Sequence, residues 1–158
     1  MKINTIIQNQ KQFPNAPKEK QFQTWVDAVF EHIDNHIPTH VNELCIRIVD
    51  SKESAELNET FRKKSGPTNV LAFPNEQIPE SPDESMGDIA ICADLVDSEA
   101  IDREVTAQDH WAHLTIHATL HLLGYDHMEE QDTIIMEDLE IKILRDLDIG
   151  NPYKSDTE

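Results

Sequence analysis

The spacing of apolar positions alternates between strand-like and helix-like stretches along the chain. Ile3 to Ile7 suggests a short first strand, and Gln21 to Ile33 carries Phe22, Trp25, Val26, Val29, Phe30 and Ile33 at helical spacing, which predicts an amphipathic helix. Leu44 to Val49 alternates as a second strand, and Asp50 with Glu53 fits a capping-box variant opening a helix whose face includes Ala55, Leu57 and Phe61. After the Gly66-Pro67 turn, Thr68 to Phe73 reads as a strand closed by Pro74, and a loop with Pro79 and Pro82 leads to a fourth strand, Asp88 to Cys92. Asp94 to Glu104 is expected to be helical. Thr106 with Asp109 can cap a further helix, Asp109 to Leu123, stopped by Gly124 as a C′ glycine stops it. Glu129 to Leu147 is the last helix, and the tail from Gly150 is expected to fray.

Four strands interleaved with four to five helices predict an α+β fold: one domain over residues 1–150, with helices packed on a small mixed four-stranded sheet, and a flexible C-terminal tail at 151–158. A chain of 158 residues can bury about two-thirds of its unfolded surface, enough for one core. No apolar run approaches the roughly 20 residues of a membrane span, and Met1 to Gln12 lacks the apolar stretch of a secretory signal, so cytoplasmic residence is the default expectation. Cys45 and Cys92 each sit inside an apolar run and read as buried thiols rather than a disulfide.

Charge complicates any nucleic-acid reading. Thirteen basic against 31 acidic residues give a net charge of −18, which opposes long-range attraction to polyanions. The acidity is uneven, however. Residues 45–73 hold five basic and four acidic side chains, whereas residues 74–109 hold eleven acidic and one basic.

Five of the eight histidines lie between His110 and His127. On a helix, the i, i+4 spacing of His117 and His121 puts two imidazoles on one face, close enough to share an ion. Gly124 ends the helix, so the chain can turn back and bring His127 in as a third ligand from outside it. Three imidazoles suit one Zn²⁺ and leave a fourth tetrahedral position for water, the mark of a catalytic rather than a structural site. His113 stands one turn before His117 and is a weaker candidate, because successive i+4 steps drift by about 40° around a straight helix. It and His110 are expected to be exposed or core-packed.

The pattern His117-x-x-x-His121-x-x-Gly124-x-x-His127 resembles that of the metzincin zinc proteases, whose first histidine is followed by a glutamate base. Ala118 stands there in this chain, so a zinc peptidase lacking that base is only the runner-up. The wider context resembles the YbeY family of single-domain endoribonucleases that mature ribosomal RNA. The matching blocks are Leu57-Asn58-Glu59-Thr60-Phe61-Arg62-Lys63-Lys64 leading to Pro67-Thr68-Asn69-Val70-Leu71-Ala72-Phe73-Pro74, then Gly87-Asp88-Ile89, then His117 to His127. The chain departs at Ala118, where the family usually shows glycine, a change that favours the helix.

The resemblance implies a zinc-dependent, single-strand-specific endoribonuclease acting in small-subunit ribosomal RNA three-prime-end processing and ribosome quality control. Its implied partners are ribosomal RNA precursors, ribosomal particles and a ribosomal protein, with no organic cofactor. His117, His121 and His127 are the expected zinc ligands. Arg62, at the end of the second helix and by resemblance bordering the metal cleft, is the candidate phosphate clamp, since a guanidinium gives bidentate bonds that lysine cannot copy. Asp88 and Asp126 are candidates for orienting an imidazole; Met128 and Met136 read as core filler. A third reading is a noncatalytic ribosome-assembly factor whose zinc only stabilises the fold.

Overall fold

The computed structural model describes residues 3–33, 41–74, 85–125 and 129–153. Each element forms close to where the apolar pattern placed it, in the order β1 (Asn4–Gln8), α1 (Glu19–His32), β2 (Glu43–Val49), α2 (Ser51–Arg62), β3 (Val70–Pro74), β4 (Ser85–Cys92), α3 (Ala93–Arg103), α4 (Ala107–Leu122) and α5 (Glu130–Asp146). Differences are confined to ends. β4 starts three residues before Asp88, and β3 starts two residues after Thr68, whose backbone is instead bonded to the Ser54 hydroxyl.

The caps explain several boundaries. Asp50 accepts from the Glu53 amide at 2.8 Å, but Glu53 does not return the bond of a capping box; its carboxylate pairs with Arg47 at 3.2 Å. Thr106 accepts from the Asp109 amide at 3.1 Å, so α4 begins at Ala107, two residues earlier than expected.

The sheet order is β1-β2-β4-β3, with β1, β2 and β4 parallel and β3 antiparallel on the edge. Its mixed character follows from the connections: α1 carries the chain between parallel neighbours β1 and β2, while β3 and β4 are successive and antiparallel. Alternation along β4 sends Ile89 and Ile91 into the main core with Phe22, Val26, Trp111, Ile116 and Leu120. Ala90 points the other way and meets Leu71, Phe73 and Leu57 of α2. This is the expected α+β domain, with helices on both faces of the sheet.

Within it α4 is the central rod. It packs against α1, α3, α5, β3 and β4, and ten of its sixteen residues are buried, so it is a core helix rather than a surface one. Phe22 meets Trp111 edge-on at 6.0 Å, tying α1 to α4. Thr115 and Thr119, fully buried, donate to the carbonyls of Trp111 and Thr115 at 2.8 and 2.7 Å, which satisfies hydroxyls that would otherwise be costly there. Both cysteines are free thiols; burial pushes Cys45 up to about 11 and raises Cys92 as well. Among the described residues no helix is long and apolar enough to cross a membrane.

α1 and α5 are joined at their C-terminal ends by His32. Its Nδ1 faces the Ala28 carbonyl at 2.8 Å and its Nε2 contacts the Asp146 carboxylate. The Ala28 carbonyl raises the His32 pKa most, burial opposes it, and the Asp146 carboxylate adds to the rise. A raised folded value means this stabilisation is complete below the ordinary histidine pKa and is lost as pH rises through the folded one. His32→Gln is therefore expected to destabilise the protein by about 0.5 kcal/mol more at pH 6 than at pH 8. Urea unfolding at the two pH values checks this, and an equal loss at both would refute it.

Candidate active site

The site begins where α4 ends. The Gly124 amide donates to His121 O at 3.0 Å and the Tyr125 amide to Leu120 O at 3.1 Å, the paired bonds of a Schellman stop, with Gly124 at φ 100°. A glycine fits because a side chain would be strained at that φ. The expected helix stop is present. His127 itself, with Asp126 and Met128, lies outside the described residues.

His117 and His121 point the same way from successive turns, with ring centroids 4.7 Å apart and planes crossed at 78°. They line a cleft of about 480 Å³ together with Ala118, Asn58, Arg62, Lys64 and residues from Thr68 to Pro74. The cleft straddles the edge strand. α4 supplies one wall from one face of the sheet, and the end of α2 supplies the other. Arg62 thus shares a cleft with His117 and His121, though 55 residues separate it from His117.

β3 also positions Arg62. Asn69 O accepts from the Cys92 amide at 2.9 Å, so residues 69, 71 and 73 direct their backbone groups to β4, and residues 70, 72 and 74 direct theirs outward. The outward Ala72 carbonyl accepts from Arg62 Nη2, and the guanidinium lies 5.1 Å from the Phe73 ring centroid. These contacts hold the long side chain at the cleft rim. Asn69 is held likewise: its Nδ2 donates to Glu99 Oε1 at 3.0 Å, and the same oxygen faces His110 Nε2 at 2.7 Å. Burial lowers the His110 pKa, against the opposing pull of Glu99.

The most consequential partner escaped the sequence reading. Glu140 of α5 has no exposed surface, and its Oε1 accepts from His117 Nδ1 at 2.7 Å. Its Oε2 accepts from the Tyr153 hydroxyl at 2.7 Å, and His113 Nε2 lies 3.5 Å from Oε1 and 3.2 Å from the Tyr153 oxygen. Burial alone would raise the Glu140 pKa; hydrogen bonds from His113, His117 and the Tyr153 hydroxyl outweigh it and hold the group at about 2. One signal was available. In α5 the buried stripe reads Met136, Glu140, Ile143, Leu144, so a glutamate occupies a core position in the helical pattern.

His113 is therefore engaged with Glu140 and Tyr153 inside the core, and its Nδ1 is buried without a partner among the described residues. Together with buried His110 it is core-packed, as expected. Among the described residues Asp88 meets no imidazole. It alternates with Ile89 and shares the α2 face of the sheet with Ala90 and Phe73, away from α4. Met136 is core, 1% exposed.

The donor set suits a metal ion at its described part. A carboxylate holding His117 Nδ1–H leaves the Nε2 lone pair for a metal, beside the His121 ring. Among the described residues no group of three metal-capable side chains converges, and two imidazoles are what this part of the chain contributes.

Fold and cleft together describe a small α+β protein with paired imidazoles facing an arginine across an exposed sheet edge. A model of the family described as Endoribonuclease YbeY matches residues 5–148. Proteins named Endoribonuclease YbeY from Coxiella burnetii strains Dugway 5J108-111 and RSA 331 are each 47% identical over 152 residues, covering 96% of this chain and 99% of the relative. The solution structure of TM1509 from Thermotoga maritima shares the fold, with a TM-score of 0.54 and 22% identity over 98% of this chain and 97% of that one. These define a hydrolase acting on RNA. The chain belongs to the YbeY family of endoribonucleases.

Gly87 lets the wall of the cleft close on the sheet. At φ 148°, a Cβ there would stand 2.4 Å from the Phe73 carbonyl oxygen and 2.9 Å from Leu122 Cδ2 in the last turn of α4. Gly87→Ala is expected to destabilise the protein by about 2 kcal/mol through strain and overpacking, measured by urea unfolding. A neutral substitution would mean that this approach is not tight in solution.

Proposed function

We propose that the cleft is the active site of a zinc-dependent, single-strand-specific endoribonuclease that matures ribosomal RNA, chiefly at the small-subunit three-prime end, and serves ribosome quality control in the cytoplasm. The observation that carries this reading is the placement of Arg62 opposite His117 and His121 in one cleft. His117, His121 and His127 would hold the zinc, the last of them contributed from beyond the Gly124 turn. When bound, zinc supplies polarisation of a phosphoryl oxygen and activation of water near neutral pH.

The chain's own residues do the rest. Arg62, oriented by Ala72 O and Phe73, offers its guanidinium fork to the equatorial oxygens of the scissile phosphate, where negative charge builds during cleavage. Lys64 adds a second positive charge at the same rim. A single strand can splay its nucleotides toward such a cleft, whereas an A-form duplex hides its bases in a groove that side chains do not enter. Ribosomal particles as partners fit the charge pattern. A chain with net charge −18 gains little from general attraction to RNA, so a local basic rim and contacts with a ribosomal protein favour a bound substrate over free RNA.

His117→Ala and His121→Ala are each expected to remove both zinc binding and cleavage of single-stranded ribosomal RNA. Cleavage at the wild-type rate by zinc-free protein would contradict this. Arg62→Lys is expected to retain zinc and lose at least tenfold in kcat, because a point charge cannot reproduce bidentate contact. Unchanged turnover would dismiss Arg62 as the phosphate clamp. Cleavage of casein with structured and single-stranded RNA left intact would favour a peptidase. A fall in melting temperature on chelation with neither substrate cut would favour an assembly factor.

A further inference from the structure

Glu140 is a carboxylate with no exposed surface, and among the described residues no lysine or arginine pairs with it. Its partners are two imidazoles and a phenol, donors that need carry no charge. A buried anion in such company is costly, and an apolar side chain of similar volume would serve packing as well or better. The cost is offset if a cation completes the set. The His117 ring offers a direct route, since its Nδ1 meets Glu140 at 2.7 Å and the residue lines the cleft.

We propose that Glu140 is a positioning residue for the metal site, holding His117 with Nδ1–H inward and Nε2 toward the cleft, and that Tyr153 clamps the second Glu140 oxygen so that the C-terminal segment supports the ligand. This rests on the reading of His117 as a zinc ligand. A charged acceptor at Nδ1 fixes the tautomer and makes Nε2 a better donor to a cation, an effect of about 10- to 100-fold in metal affinity. Tyr153 acts one step further out. Its hydroxyl donates to Oε2, for which no other hydrogen bond is found among the described residues, and fixes the carboxylate plane. Its ring stands edge-on to His113 at 5.4 Å, and that packing keeps the segment beyond α5 against the core.

The test is zinc affinity of the full-length protein, measured by competition with a chromophoric chelator, in the wild type, Glu140→Gln and Tyr153→Phe. Glutamine keeps an acceptor for Nδ1–H and removes the charge. Glu140→Gln should weaken zinc binding by about 10- to 100-fold, and Tyr153→Phe should weaken it less and in the same direction. In wild-type protein carrying isotope-labelled histidine and loaded with cadmium, the metal coupling should appear at His117 Nε2 and the proton at Nδ1.

Unchanged affinity in both variants, or cadmium bound at His117 Nδ1, would overturn the proposal. Should Glu140→Gln fail to fold, Tyr153→Phe and the nitrogen assignment still decide it. Wild-type protein that binds neither metal would defeat the assignment of His117 as a ligand, which is a different failure.

Discussion

The structure depends on one helix being surrounded. α4 is packed by three helices and two strands, and its face toward β3 and the cleft carries His117, Ala118 and His121. A surface helix could present the same side chains, but with rotamer freedom that blurs their relative positions. Here Trp111, Ile116 and Leu120 lock the rod against the sheet, and internal hydroxyl bonds let polar residues remain inside it. The imidazoles inherit the precision of the core.

The second constraint is the sheet edge. β3 is antiparallel and among the described residues pairs with β4 alone, so its outer backbone groups need partners. Arg62 supplies one at Ala72, and in doing so a cation is fixed at the rim of the cleft. Placing α2 and α4 on opposite faces of one edge strand brings unlike chemistries together in one cleft. Two carboxylates, Glu140 buried and Glu99 partly exposed, then tie residues of the cleft to the core. Glu99 ties Asn69 to His110, and Glu140 ties His117 to Tyr153. In a chain so acidic overall, these two carboxylates have a role that solvated surface charges do not.

Much of this was legible in the residues because the signals were local. Helical spacing, the Asp50 and Thr106 caps and the Gly124 stop depend on neighbours within a few positions, and they placed α2 and α4 to within two residues. The His117–His121 pair followed from the same geometry. What the pattern could not convey was tertiary. The Glu140–His117 bond joins residues 23 apart, and the Tyr153–His113 contact joins residues 40 apart. Asp88, at the start of a strand, was a candidate for orienting an imidazole, yet strand alternation turns it to the α2 face. Glu53 likewise fitted a local motif and was drawn off by Arg47 on β2.

The proposed chemistry requires His117, His121 and His127 together to hold one zinc ion. X-ray absorption at the zinc edge of the loaded protein tests it directly. The account predicts a shell of nitrogen and oxygen at roughly 2.0–2.1 Å with the outer-shell scattering of three imidazoles. Sulfur in the first shell, or scattering from fewer than three imidazoles, would contradict it.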